Sequence, residues 1–141
     1  MKRVTLSRIV LNERTPEQTI FLKEEGETGR VLPVIIGIFE ANAIQMGLYK
    51  IKTGRPMTHD LLLNVFDALG LKVQRILIDK LQQSTFHAQI ILKTENGIVR
   101  VDSRPSDAVA LATRIDVPLF VDDDVFDTAA IDEIEMDTDN D

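Results

Sequence analysis

The chain has 141 residues, of which 44% are hydrophobic, so it is long enough to form one domain with a core of its own. It contains no cysteine, which excludes a disulfide framework, thiolate metal ligands and a cysteine nucleophile. The net charge of −7 is unfavourable for binding nucleic acid unless the charge is unevenly distributed along the chain.

The acidic residues are in fact concentrated at the C-terminal end. Residues 122–141 contain ten acids and no base, whereas residues 1–121 contain 13 acids and 16 bases and so carry a net charge of +3. A mildly basic body permits a phosphate-bearing partner without requiring one. We predict a domain over residues 1–121 and an acidic C-terminal segment over residues 122–141, made of a weak helix and a solvated tail. A regulatory or metal-binding tail is the alternative.

The N-terminal segment MKRVTLSRIV is not typical of a targeting signal, because Arg8 interrupts its apolar run and no small-residue cleavage site follows. No apolar run in the chain approaches the length of a membrane span. We therefore expect a cytoplasmic protein without a membrane partner.

The first half of the chain predicts three strands followed by two helices. Apolar runs bounded by the turn segments ERTPE and GETG predict strands over residues 2–12, 18–24 and 30–38. Apolar residues at helical spacing then predict helices over residues 39–54 and 55–70. We expect Gly54 and Gly70 to end these helices and Thr58 to be the N-cap of the second one.

The second half repeats this order and modifies its end. Strands are predicted over residues 71–81, 85–93 and 97–103, with a hairpin at the ENG turn. The next helix, over residues 104–115, must end before the Val117-Pro118 pair. A short strand over residues 118–121 and a weak acidic helix over residues 124–134 complete the chain.

A short sequence echo supports two copies of one unit. The segment EANAI (residues 40–44) follows the third predicted strand, and DAVAL (residues 107–111) follows the sixth. Both read acid, alanine, variable, alanine, aliphatic, and the alanines let each helix lie close to the sheet or to its counterpart. We predict an α+β fold built from a duplicated strand-strand-strand-helix-helix unit.

Most polar residues of chemical interest lie at predicted helix starts. Arg55 precedes one helix, while Arg104 and Ser106 stand at the start of another. A helix N-terminus offers free N–H groups and the positive end of its dipole, and an arginine binds phosphate through a bidentate fork. We predict that Arg55, Arg104 and Ser106 bind phosphate.

The carboxylates near the same helix starts suggest a divalent cation. Asp102 and Asp107, together with Glu40 or Asp60, are the candidate ligands, and Mg²⁺ or Mn²⁺ is the expected ion. Such an ion activates water and neutralises developing charge in phosphodiester hydrolysis, and a histidine can move the proton. The candidate catalytic residues are His59, Asp60, Arg104 and Asp107.

Purely structural roles account for the same residues. Serine and threonine cap helices, proline is favoured in the first turn, and an aspartate there complements the helix dipole. An ion pair from Arg55 or Arg104 to a nearby carboxylate would fasten the two repeats together. The residues by themselves indicate an anion site, with or without a metal.

Three blocks together resemble the bifunctional nuclease family, which is named for activity on both DNA and RNA. They are RVLPVIIGIFEANAI, RPMTHDLL and VDSRPSDAVALA, and the resemblance extends from about Val4 to Val121. It implies a duplicated α+β domain whose strands curl toward a barrel-like sheet with helices packed outside, commonly assembled into homo-oligomers. It also implies nuclease activity, and the blocks contain Glu40, His59, Asp60, Asp102, Arg104, Ser106 and Asp107.

Two function classes follow. The first is a metal-assisted nuclease that cleaves phosphodiester bonds of DNA and RNA. The alternative is a non-catalytic oligomeric module that binds a nucleotide or another anion at helix N-termini. A third possibility is a structural domain in which the arginine–carboxylate pairs only join the repeats.

Overall fold

The computed structural model describes residues 1–26 and 29–134 of the chain. The predicted acidic tail beyond residue 134 lies outside the described residues. The strands are β1 (Lys2–Val10), β2 (Glu17–Glu24), β3 (Arg30–Gly37), β4 (Lys72–Gln82), β5 (Thr85–Thr94), β6 (Gly97–Ser103), β7 (Leu119–Val121) and β8 (Ile131–Asp132). The helices are α1 (Ile38–Leu48), α2 (Thr58–Ala68), α3 (Pro105–Ile115) and α4 (Asp123–Ala129).

The strands form one sheet in the order β6-β5-β4-β7-β1-β2-β3-β8. Two antiparallel meanders, β1–β2–β3 and β4–β5–β6, lie on either side of β7, which pairs antiparallel to β1 and parallel to β4. The end strands do not pair with each other, so the sheet is open. It is curled, because residues 33–37 of β3 and residues 84–86 at the β4–β5 hairpin line one cavity.

The helices cover one face of this sheet. The main core joins inward-facing side chains of β1 to β5 and β7 with α1, α3 and α4. Helix α3 is buried along most of its length, since Ala108, Val109, Ala110 and Leu111 have no exposed surface. A helix covered on so many sides requires small residues, and alanine supplies them without a loss of side-chain entropy.

The duplicated unit is confirmed. Each meander is followed by a helix, and these helices, α1 and α3, pack against each other. The aligned alanines of the EANAI and DAVAL segments are inside this packing: Ala41 and Ala108 are both fully buried. The prediction of α+β architecture with a curled sheet is therefore correct.

The end of α1 differs from the prediction. The helix ends at Leu48 rather than near Gly54, and Ile51 is exposed instead of lying in the core. Lys50 adopts a left-handed conformation with φ of 53°, and its ammonium donates a hydrogen bond to the carbonyl of Thr113 at 2.7 Å. This contact to α3 favours chain reversal at Lys50, a residue that local propensity does not single out.

Two further differences concern helix α2 and the C-terminal region. Helix α2 begins at Thr58 with Met57 as its N-cap, so the prediction of Thr58 as the cap is wrong by one residue. Residues 122–132 form part of the fold: Phe126 of α4 is fully buried in the main core, and β8 pairs with β3. Among the described residues, no helix combines the length and the apolar character required to span a bilayer.

The packing of α1 on α3 predicts an effect of Gly47→Ala. A Cβ at Gly47 would collide with Thr113 Oγ1 and approach Arg114 Nη1 to 2.8 Å, so the helices would have to separate. We expect a loss of about 1–2 kcal/mol in the free energy of unfolding, measured by urea denaturation, despite the better helix propensity of alanine. Gly54→Ala is the matched control, since nothing lies within 4 Å of its Cβ position. Equal stability of the two variants would contradict the packing argument.

Candidate active site

The start of α3 leaves backbone donors available. Arg104 is the N-cap, Pro105 occupies the first helical position, and no side chain caps the helix. Ser103 Oγ donates to the carbonyl of Arg104 at 2.8 Å, so Ser103 does not act as a cap. In such a first turn the N–H groups of Ser106 and Asp107 have no partner within the helix, which creates a positive site for an anion.

Helix α1 begins in the same way. Its N-cap is Gly37, again without a side-chain cap, and Glu40 is in the first turn. The Glu40 carboxylate folds back over Gly37, where an added Cβ would collide with it. Gly37 leaves space for this close approach, and the acid complements the positive end of the helix dipole.

The two helix starts share the larger cavity, which has a volume of about 620 Å³. Its lining includes Gly37 and Glu40 from α1, Arg104 and the 5% exposed Ser106 from α3, and the free edge of β3. Arg104 is exposed and brings a guanidinium to the positive ends of two helices. Since Glu17 and Glu40 also line the cavity, its side at Arg104 and the start of α3 is the part suited to an anionic group.

A second cavity of about 330 Å³ contains a histidine–carboxylate pair. His59 Nε2 lies 2.9 Å from Asp107 Oδ1, and the imidazole is largely buried with 14% of its side chain exposed. Such a carboxylate fixes the orientation of the imidazole ring. Glu40 lines this cavity as well as the larger one, so the two cavities adjoin at Glu40.

Asp60, a candidate catalytic residue, uses both carboxylate oxygens inside the fold. Its Oδ2 accepts a hydrogen bond from the backbone N–H of Met57 at 3.0 Å, which secures the start of α2. Its Oδ1 accepts from Nε of Arg114, also at 3.0 Å. These contacts give Asp60 a positioning role, since they hold the turn on which the neighbouring His59 lies.

Arg114 is a residue of the site that sequence reasoning missed. Only 9% of its side chain is exposed, and its Nη1 donates to the carbonyls of Ala43 in α1 and Ala110 in α3. One guanidinium thus connects α1, α2 and α3. The sequence does contain an indication of this role. When the EANAI–DAVAL alignment is extended, Gly47 of the first copy aligns with Arg114 of the second, and the glycine leaves space for the arginine side chain.

The structure does not bring all the predicted ligands together. Asp102 is exposed on β6 opposite Gln89, on the sheet face away from the helices, and Arg55 lies in the exposed loop between α1 and α2 outside both cavities. Within residues 1–26 and 29–134, no group of three or more His, Cys, Asp or Glu side chains is close enough to hold a metal ion. Glu40 and Asp107 line the smaller cavity together with His59.

The fold and the site define a class of protein: a duplicated α+β domain with an anion cavity and a histidine–carboxylate pair at its helix N-termini. The chain belongs to the bifunctional nuclease domain family, whose match covers residues 20–133. This range includes α4, β8, the whole second repeat and the first repeat from within β2 onward, while β1 precedes it.

Curated relatives agree with this assignment. An uncharacterized protein of Mycobacterium tuberculosis is 36% identical over 119 residues, which cover 84% of this chain and 71% of the relative. Bifunctional nuclease 1 of Arabidopsis thaliana is 29% identical over 114 residues, 79% of this chain and 35% of the plant protein. Bifunctional nuclease 2 of Oryza sativa is 27% identical over 114 residues, 77% of this chain and 34% of the relative. The plant proteins therefore contain much additional sequence.

The Arg114 contacts predict that lysine cannot replace arginine there. Arg114→Lys keeps the charge but cannot serve Asp60 and two carbonyls with a planar fork, so we expect a loss of about 2 kcal/mol in the free energy of unfolding. Urea denaturation measures it, with Arg14→Lys in an exposed loop as the control. If both variants unfold at the same urea concentration, Arg114 does not join the helices as described.

Proposed function

We propose that this chain is a phosphodiesterase that cleaves DNA and RNA at the cavities formed by the helix N-termini. The observation that carries the proposal is the 2.9 Å contact between His59 and Asp107, beside Glu40 and one helical turn from Arg104. Family membership and the names of the plant relatives support a nucleic-acid substrate.

His59 moves the proton in this proposal. Its Nε2 faces Asp107, which leaves Nδ1 as the nitrogen available to a substrate or an attacking water. As a general base the ring takes a proton from the water that attacks phosphorus, and the imidazolium then pairs with the Asp107 carboxylate. The same ring can return the proton to the departing oxygen.

Arg104 and the start of α3 hold the phosphate. Arg104 and Asp107 are three residues apart, so their backbones are separated by about 4.5 Å along the helix axis. Negative charge that develops on the phosphate oxygens is stabilised by the guanidinium and by the free N–H groups near Ser106. Glu40 restricts this positive region, which favours a phosphate oriented toward Arg104.

A divalent cation remains a prediction. Mg²⁺ is commonly bound by one or two carboxylates together with waters and substrate phosphates, and Glu40 and Asp107 are the two carboxylates that line one cavity. When bound, such an ion supplies charge neutralisation at the phosphate and a more acidic water. Asp102 is on the opposite sheet face and is no longer part of the proposed set.

The alternative is a non-catalytic oligomeric module that binds a nucleotide or another anion in the larger cavity. The uncapped helix starts suit either function, because free N–H groups can hold the anion of a bound ligand as well as that of a substrate. This alternative predicts that nucleotides raise the melting temperature and are never turned over.

Cleavage assays separate the two functions. Labelled single- and double-stranded DNA and RNA are incubated with wild type, His59→Gln and Asp107→Asn in Mg²⁺, Mn²⁺ or EDTA. We expect both variants to lose at least about 100-fold in rate, because a positioned acid–base group contributes that much or more. Asp67→Asn, on the exposed side of α2, is the matched control and retains the rate.

Wild-type rates in repurified His59→Gln and Asp107→Asn would refute the assignment of the site. Binding without cleavage by any of the proteins would favour the alternative. A rate that EDTA leaves unchanged would remove the cation from the proposal while leaving His59 and Asp107 in place.

Cytoplasmic location and homo-oligomeric assembly also remain predictions. Several large apolar side chains are exposed, with Phe39 at 85%, Leu69 and Tyr49 at 68% and Ile35 at 65%, and such side chains suit contacts between copies. Light scattering after size-exclusion chromatography measures the assembly, and a monomer at all concentrations would contradict it.

A further inference from the structure

The sheet face opposite the helices carries a concentration of basic side chains. Successive residues of a strand alternate between the two faces and paired residues share one, so the strand registers assign each side chain. Half of the chain's 16 lysines and arginines project from this face: Arg3, Arg8, Lys23, Lys72, Arg75, Lys80, Lys93 and Arg100.

Four of these bases form what we call the basic patch, defined as Lys72, Arg75, Lys93 and Arg100. Lys72 pairs directly with Lys93, and in the next row Arg75 pairs with Ile91, which pairs with Arg100. Neither row contains an acid. Like charges directly opposite each other destabilise a sheet, so this arrangement does not serve stability.

Within residues 1–26 and 29–134, none of the four patch bases forms an ion pair with an acid. Asp79 accepts a hydrogen bond from Gln89 through Oδ2, while its buried Oδ1 has no partner among the described residues. Arg100 donates to the amide oxygen of Gln89, and the buried Nε of Arg75 has no hydrogen-bond partner within the same residues. By contrast, Arg3 and Lys23 elsewhere on this face pair with Glu25 and Glu133.

The partner that suits such a patch is a polyanion contacted through its charge. The aromatic rings on this face are covered by arginines, since Arg75 lies over Phe120 and Arg8 lies over Phe21. They do not offer an open stacking surface for bases. Contacts through lysine and arginine alone bind phosphates without regard to sequence.

We infer that the basic patch binds the sugar–phosphate backbone of the nucleic-acid substrate outside the cleavage site. Strand β6 links the two regions, because Arg100 is in the patch and Arg104, four residues later, lines the larger cavity. Four residues of strand span about 13 Å, with Asp102 between the two arginines. This inference rests on the proposed function for the identity of its partner.

Binding is measured separately from cleavage to test the inference. The probe is a fluorescent single-stranded DNA with a non-cleavable phosphorothioate backbone, titrated in EDTA between about 50 and 200 mM salt. The test variant is Lys72→Glu/Lys93→Glu. The control is Arg14→Glu/Lys52→Glu, which changes net charge equally at exposed residues outside the patch and both cavities. Melting temperatures verify that both variants fold.

We expect the patch variant to bind at least about tenfold more weakly, with the slope of log affinity against log salt reduced by about 1.4 for two lost phosphate contacts. The control keeps the wild-type slope. Equal binding by the two variants, or no binding by wild type, would overturn the inference. Binding to phosphatidylserine vesicles is measured for the same proteins. If the patch variant loses binding to the vesicles but not to DNA, the inference is also overturned and the patch is assigned to an anionic membrane.

The outcomes also distinguish this inference from the proposed function. If wild type binds DNA through the patch but never cleaves it, the proposed function fails, and the patch is a nucleic-acid-binding surface without an associated cleavage site. If cleavage depends on His59 while the patch variant binds DNA like wild type, the inference fails and the proposed function is retained.

Discussion

A single buried guanidinium joins the three helices whose N-terminal regions form the site. Arg114 donates to the carbonyl of Ala43 in α1, to that of Ala110 in α3, and to the carboxylate of Asp60 in α2. Gly47 leaves space for it, since any Cβ there would approach the guanidinium. Buried arginine donors must be satisfied, so the three helices are held in one arrangement. The distance between His59 and Asp107, which belong to different repeats, depends on this arrangement.

Equivalent residues of the two repeats have different contacts. Glu40 and Asp107 occupy equivalent positions in α1 and α3. Among the described residues Asp107 is the one of the two that hydrogen-bonds a histidine, because α2, the second helix of the first repeat, packs against α3 of the second. Charge is unevenly distributed as well, since eight of the 16 lysines and arginines project from the sheet face opposite the helices. In the proposed function, a phosphate backbone contacts both faces. The basic patch attracts it through charge alone, and the oriented groups at the helix N-termini contact the scissile phosphate.

The order of elements is predictable because apolar periodicity and turn residues are local. The strand predicted over residues 97–103 coincides with β6, and Gly70 ends α2 with its positive φ. The end of α1 is not predictable, because it depends on the contact of Lys50 with the distant Thr113 carbonyl. The sequence identifies His59 and Asp107 as candidates, but only the packing of α2 on α3 brings them into contact. The sequence likewise does not reveal that both carboxylate oxygens of Asp60 accept hydrogen bonds, from the Met57 N–H and from Arg114, because the second contact depends on tertiary packing.

We propose that the helix N-termini hold the phosphate whose ester bond is cleaved with the help of His59 and Asp107. The most direct measurement is a crystal structure of the wild-type protein with a non-cleavable phosphorothioate oligonucleotide. We expect one phosphate to lie within hydrogen-bond distance of the Arg104 guanidinium. The same phosphate should be next to Nδ1 of His59, the ring nitrogen that does not face Asp107. An oligonucleotide whose phosphates all lie away from both residues would contradict it.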